Sequence, residues 1–95
     1  MKLIHKAELG IRGQGKQVLQ IPLFAHFISC NFQGEKLVVW YMFDEVNSYN
    51  IQARTLHLVR TGEPFEHNYK YQFIGTAQDF DEEFTFVLHL FEITA

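Results

Sequence analysis

Five histidines, one cysteine, an acidic turn and a glycine-rich string are the parts of this 95-residue sequence whose chemistry could amount to a site. His5, His26, His57, His67 and His89 could ligate a metal or move protons, but they fall in different segments, with no pair at ligand spacing and none beside a nucleophile motif. Structural or surface roles are expected for them. His57 and His89 sit mid-segment among apolar residues, where a buried imidazole needs a hydrogen-bond partner. Cys30 has Ile28 and Phe32 two residues to either side, which puts its thiol on an apolar strand face and predicts a buried, inert group. Asp79, Asp81, Glu82 and Glu83 lack the spacing and the glycine of a calcium loop, and read as a solvated turn that blunts a sheet edge. Gly10 to Lys16 spells Gly-x-x-Gly-x-Gly-Lys, and such backbone can cradle an anion. The spacing is not that of a P-loop and no helix follows, so a flexible connection is predicted. No catalytic residue, metal or cofactor is assigned, and the chain reads as noncatalytic.

The aromatic residues point to binding instead. Ten Phe, four Tyr and one Trp make 16% of the chain, more than a small core readily hides, because a domain of this size leaves much of its surface exposed. Tyr49 and Tyr69 fall in or near loops, where aromatic rings anchor partner contacts, and Trp40 lies in a strand apolar on both faces. Arg54 and Arg60 add positive charge. Trp40, Tyr49, Tyr69, Arg54 and Arg60 are therefore the expected binding residues.

The elements that must position these groups are strands. Phe27 to Phe32 and Leu37 to Phe43 are β-prone runs joined by Gln33-Gly34-Glu35-Lys36, a hairpin pattern. Lys2 to Leu9, Gln17 to Ile21, Arg54 to Thr61, Tyr71 to Ala77 and Phe84 to Ile93 supply further strands, with Pro22 confining the second to an edge. Asp44 to Asn50 reads as an exposed loop. No window carries helical apolar spacing, so one short helical turn is the most expected. The chain, residues 1–95, is expected to be a single all-β domain, a small antiparallel sandwich or flattened barrel of six to seven strands. Ile28, Cys30, Phe32, Val39, Leu56, Leu58, Phe73, Phe86 and Leu88 are its predicted core. The formal charge of −3 has the wrong sign for a general nucleic-acid binder. One cysteine allows no intrachain disulfide, and no segment has signal-peptide or membrane-span length, so a soluble cytoplasmic protein is expected.

The order Met1-Lys2-x-Ile4-x-Lys6, Gln20-Ile21-Pro22, Leu37-Val38-Val39-Trp40, RTGEPF at Arg60 to Phe65, FIGTAQ at Phe73 to Gln78 and FVLHLFE at Phe86 to Glu92 resembles a family of uncharacterised bacteriophage and prophage proteins about ninety residues long. Neither of its most specific parts, the Thr61-Gly62-x-Pro64 turn and the Tyr71-x-Phe73-Ile74-Gly75-Thr76 strand, is a catalytic signature. The resemblance implies phage origin and a small β fold. It leads to the expectation of a noncatalytic accessory protein, located in the host cytoplasm, that binds a host protein, such as a defence factor or enzyme, or its own copies as a homodimer. The alternatives are an oligomer that sequesters a small anionic nucleotide signal and a minor virion component. The self-association is expected to use an aromatic strand face containing Trp40 or Phe91.

Overall fold

In a computed structural model, residues 1–10, 15–64, 68–80 and 85–94 are described, with the backbone alone at 79, 80, 85 and 86. The strands are β1 (Lys2–Leu9), β2 (Lys16–Pro22), β3 (His26–Gln33), β4 (Lys36–Asp44), β5 (Ile51–Arg60), β6 (Tyr71–Phe80) and β7 (Thr85–Ile93). One 3-10 turn, Glu45–Asn47, follows β4, and there is no α-helix among the described residues. The strands form a first sheet ordered β1-β4-β3 and a second ordered β2-β5-β7-β6, with every pairing antiparallel. This is the small antiparallel sandwich that the alternation of the sequence implies.

The central strand of the first sheet is the most apolar segment. Its odd residues Leu37, Val39, Tyr41 and Phe43 are buried against the second sheet. Val38 points the other way and is still only 2% exposed. Lys6 Nζ on β1 donates to Gln33 Oε1 on β3 at 2.6 Å, so these two side chains reach over β4 and roof Val38. The β3–β4 hairpin turns through Gly34 at φ 63°, the left-handed first position of a two-residue turn that glycine occupies without strain.

Across the interior, Leu56 and Leu58 of β5 and Leu88 and Leu90 of β7 meet Leu9, Cys30, Leu37 and Val39. A second cluster of Ile21, Ala25, Tyr41 and Phe43 fills the end of the sandwich where β5 begins. Ala7, Leu19 and Phe27 pack against both clusters and make them one core.

Cys30, Val39, Leu56, Leu58 and Leu88 are buried as predicted, and Phe32 is half-buried against them. Ile28 and Phe73 are not: they are 43% and 58% exposed. Both corrections have the same cause. The β3–β4 register shifts between Phe27 and Ser29, and the β6–β7 register between Phe73 and Gly75. A bulge inserts one residue, so strict alternation predicts the wrong face on one side of it. Phe86 lies outside the residues whose side chains are described.

The two bulged strands face each other across one side of the sandwich. A β-carbon added at Gly75 would stand 3.2 Å from Cys30 Sγ and 3.4 Å from the Cys30 backbone nitrogen. Glycine there lets the two sheets approach closely.

Candidate binding surface

The end of the sandwich where β5 begins carries the strongest departure from ordinary folding preferences. Pro22 closes β2 opposite Ile51, and the chain must then turn back into β3. The turn is Pro22-Leu23-Phe24-Ala25, closed by a hydrogen bond from Ala25 N to Pro22 O at 3.2 Å. Its third residue needs positive φ, a place ordinarily taken by glycine or asparagine. Here it is Phe24, at φ 63°, with its ring 79% exposed. Phe24 is the one non-glycine residue at positive φ among those described.

Two anchors hold this turn. Leu23 N donates to Asn50 O at 2.6 Å, tying it to the loop before β5. Arg54 Nη1 donates to Ala25 O at 2.8 Å. The same guanidinium grips Glu92 of β7, Nη2 to Oε1 at 2.7 Å and Nε to Oε2, and stacks 4.9 Å from the Phe27 ring centroid. The side chains of Arg54 and Glu92 are only 16% and 10% exposed, so the ion pair is partly desolvated and its two-point geometry matters. His26, Gln72 and Phe73 line a small cleft beside it.

The neighbouring loop presents a second ring. Asp44 accepts from Val46 N at 3.2 Å, Ser48 N and Oγ donate to Glu45 O at 3.1 and 2.6 Å, and Asn50 N donates to Asn47 O at 3.0 Å. These local bonds fix the backbone while Tyr49 stands 96% exposed. Val46 at 75% and Ile51 at 55% add apolar surface to the same end. The loop between Asp44 and Asn50 is thus a hydrogen-bonded turn with an exposed aromatic on it.

The five residues expected to bind do not converge. Arg54 and Tyr49 belong to this end. Arg60 lies at the opposite end of β5, its Nε 3.9 Å from Glu63 Oε1. Trp40 is half-buried on the outer face of the first sheet, opposite Lys6. Tyr69 is on the outside of the second sheet, in an aromatic chain with Tyr71, Phe91 and Phe73 at centroid distances of 6.2, 6.0 and 5.4 Å, and Lys16 Nζ sits 4.3 Å from its centroid. Sequence reasoning missed Phe24, Ile51 and Glu92. An apolar turn, Pro22-Leu23-Phe24-Ala25, without glycine, asparagine or aspartate was the available signal for the first.

Of the other chemistry-bearing residues, His89, His57, Cys30 and Gly10 sit in structural contacts. His89 lies between Thr61 Oγ1 at 2.8 Å and Thr76 Oγ1 at 3.0 Å, the partners a strand histidine needs. His57 packs on the Tyr71 ring, with centroids 5.6 Å apart, and a β-carbon on Gly15 would lie 3.0 Å from its ring. Burial pushes the Cys30 thiol up to about 11, which suppresses the nucleophilic thiolate. In the glycine string, Gly10 N donates to Gln17 Oε1 at 2.8 Å and Gly10 O accepts from Gln17 Nε2, so a side chain already holds that amide. Residues 11–14, His67 and the acidic side chains from Asp79 to Glu83 lie outside the description. Among the described residues, no group of three or more His, Cys, Asp or Glu is placed to hold a metal ion, and no helix is long and apolar enough to cross a membrane.

An all-β sandwich with a strained aromatic turn buttressed by an ion pair is the class these features define. Residues 1–95 match a domain of unknown function, DUF7352, and the chain belongs to that family. No curated protein and no solved structure matches it.

Proposed function

We propose that this protein is a noncatalytic binding module that engages a protein partner through the aromatic end built on Phe24 and Tyr49. One observation carries the reading: Phe24 is in left-handed backbone and its ring is 79% exposed. Left-handed geometry costs a bulky residue about 1–2 kcal/mol, and a ring in water returns nothing to the fold. Strain held by two hydrogen bonds, with the strained side chain pointed at solvent, is the mark of a group kept for an external contact. Exposed aromatic residues on a firm backbone suit that use, since little side-chain entropy is lost on binding.

The likeness to phage and prophage proteins supports a phage-encoded accessory protein acting in the host cytoplasm, with a host defence factor or enzyme as the partner. The nucleotide-sequestering alternative is less well supported. It would use Arg54 or Arg60, but Nε, Nη1 and Nη2 of Arg54 are engaged by Glu92 and Ala25, and Arg60 lies beside Glu63. Affinity capture from lysate of infected host cells tests the reading. A partner retained by the native protein should be lost with Phe24→Gly and with Tyr49→Ala, while both variants keep the β spectrum. A partner retained equally by both variants refutes this surface, and stabilisation by cyclic nucleotides in a thermal-shift screen would favour the alternative.

A further inference from the structure

The sandwich has a free edge that matches itself. Among the described residues β1 has β4 as its one strand neighbour, and no described strand pairs with its other side. It pairs with β4 over eight consecutive positions without a register shift, from Lys2 opposite Asp44 to Leu9 opposite Leu37. Exposed edges of this length are normally blunted by proline, a bulge or a covering element. The other edge strands have such devices. β3 and β6 are bulged and pack against each other, and β2 ends in Pro22. β1 has neither proline nor bulge.

The hydrogen-bond phase shows which groups β1 offers. Glu45 N donates to Met1 O at 2.9 Å, one step beyond the Lys2–Asp44 pair. In an antiparallel ladder, residues bonded to one neighbour alternate with residues that point the other way. The odd residues of β1 are therefore bonded to β4, and Lys2, Ile4, Lys6 and Glu8 direct their N–H and C=O groups outward. All four are exposed.

We infer that β1 pairs antiparallel with β1 of a second copy of this chain about a two-fold axis at His5, joining the two first sheets into one of six strands. Only even residues can bond across this edge, so the allowed registers move in steps that keep even opposite even. Centred on His5, Lys2 meets Glu8 of the other copy, Glu8 meets its Lys2, and Ile4 meets Lys6. Centred on Ile4, Lys2 faces Lys6 twice. Centred on Lys6, the two Lys6 side chains face each other. Opposite charges across a strand pair stabilise it and like charges oppose it. Centred on Ala7, Lys6 would also face Glu8, but Ile4 would meet Gly10, whose N–H and C=O Gln17 already holds, so charge and free backbone together select the His5 register. That register also uses all four outward residues. Because an isologous two-fold contact repeats every interaction, both Lys–Glu pairs form or neither does.

The inference is independent of the function proposed above. β1 runs from the Phe24 and Tyr49 end to the opposite one, so antiparallel pairing leaves the two aromatic ends at opposite extremes of the joined sheet, both free for a partner.

Charge reversal tests it. In sedimentation equilibrium at about 0.1 mM the native chain should be a dimer. Lys2→Glu and Glu8→Lys should each weaken the dimer by roughly tenfold or more, because two attractive pairs become repulsive. The double variant Lys2→Glu/Glu8→Lys should recover most of the native affinity, and circular dichroism should show the same β content in all four proteins. Hydrogen exchange supplies a second readout: the amides of Ile4 and Lys6 should gain protection as concentration rises. A native chain that stays monomeric with those amides unprotected overturns the inference. A dimer unmoved by either single reversal, or one that the double variant fails to restore, overturns it as well.

Discussion

Gly75 of β6 and Cys30 of β3 approach so closely across the sandwich that a β-carbon on the glycine would meet both Sγ and the Cys30 amide nitrogen, at 3.2 and 3.4 Å. Each residue lies just past a bulge in its own strand, and the two bulges let the edges of the opposed sheets come together. The contact closes one side of the molecule, while β1 and β2 are the edge strands on the other side.

Gly75→Ala should therefore destabilise the fold by about 1–3 kcal/mol through overpacking, chiefly against Cys30 Sγ. Urea denaturation measures it. Combined with Cys30→Ala, which removes the thiol but leaves the amide contact, the cost should be partly relieved. The two changes should be non-additive, as expected of residues in direct contact.

The Arg54–Glu92 pair gives an asymmetric prediction. Glu92 is 7% exposed, and removing its partner leaves a carboxylate that is largely cut off from water. Arg54→Leu alone should lower stability by on the order of 3 kcal/mol. Adding Glu92→Leu should recover much of that loss, because two apolar groups need no counter-charge. If Arg54→Leu proves neutral in urea denaturation, the turn at Ala25 does not depend on this anchor.

Cys30 sets an alkaline limit. Its folded-state pKa is raised from 9.0 to about 11 by burial, so the native state holds the proton more tightly than the unfolded chain. The associated stability is fully present below about pH 9.0 and is lost progressively as pH rises towards about 11. Burial also raises the Tyr41 phenol, with the same sign. Denaturation midpoints should decline as pH rises from about 9.0 to about 11, and Cys30→Ala should flatten part of that slope. At neutral pH the native thiol should react with alkylating reagents far more slowly than the thiol of the urea-unfolded chain.

The strands were readable in the sequence because alternation and turn residues act locally. The Gln33 to Lys36 hairpin and the Pro22 strand end are local signals of this kind. Ile28 and Phe73 were misread because a bulge is set by the partner strand and leaves no mark in its own period. Arg54 was legible as a cation of interest, but its engagement by Glu92 depends on two strands 38 residues apart coming side by side. Tyr49 was legible as a loop aromatic. Phe24 was not, because nothing in its own residue type requests positive φ; the anchors at Asn50 and Arg54 impose it.

That imposed geometry leads to the last prediction. Phe24→Gly places at φ 63° the residue that tolerates it best, and the ring it removes is 79% exposed, so little packing is lost. Relief of backbone strain favours the variant by about 1–2 kcal/mol, and the extra freedom of glycine in the unfolded chain takes back about 0.5–1 kcal/mol. The protein should become more stable by about 0.5–1 kcal/mol in urea denaturation. Phe24→Ala should not share the gain, since alanine keeps the β-carbon that makes left-handed backbone unfavourable. A folded state that improves when its own residue is replaced, together with loss of the captured partner, would place the reason for Phe24 in binding. If Phe24→Gly is instead destabilised as much as a core truncation, about 3 kcal/mol or more, the ring supports the fold and the binding surface must be sought elsewhere.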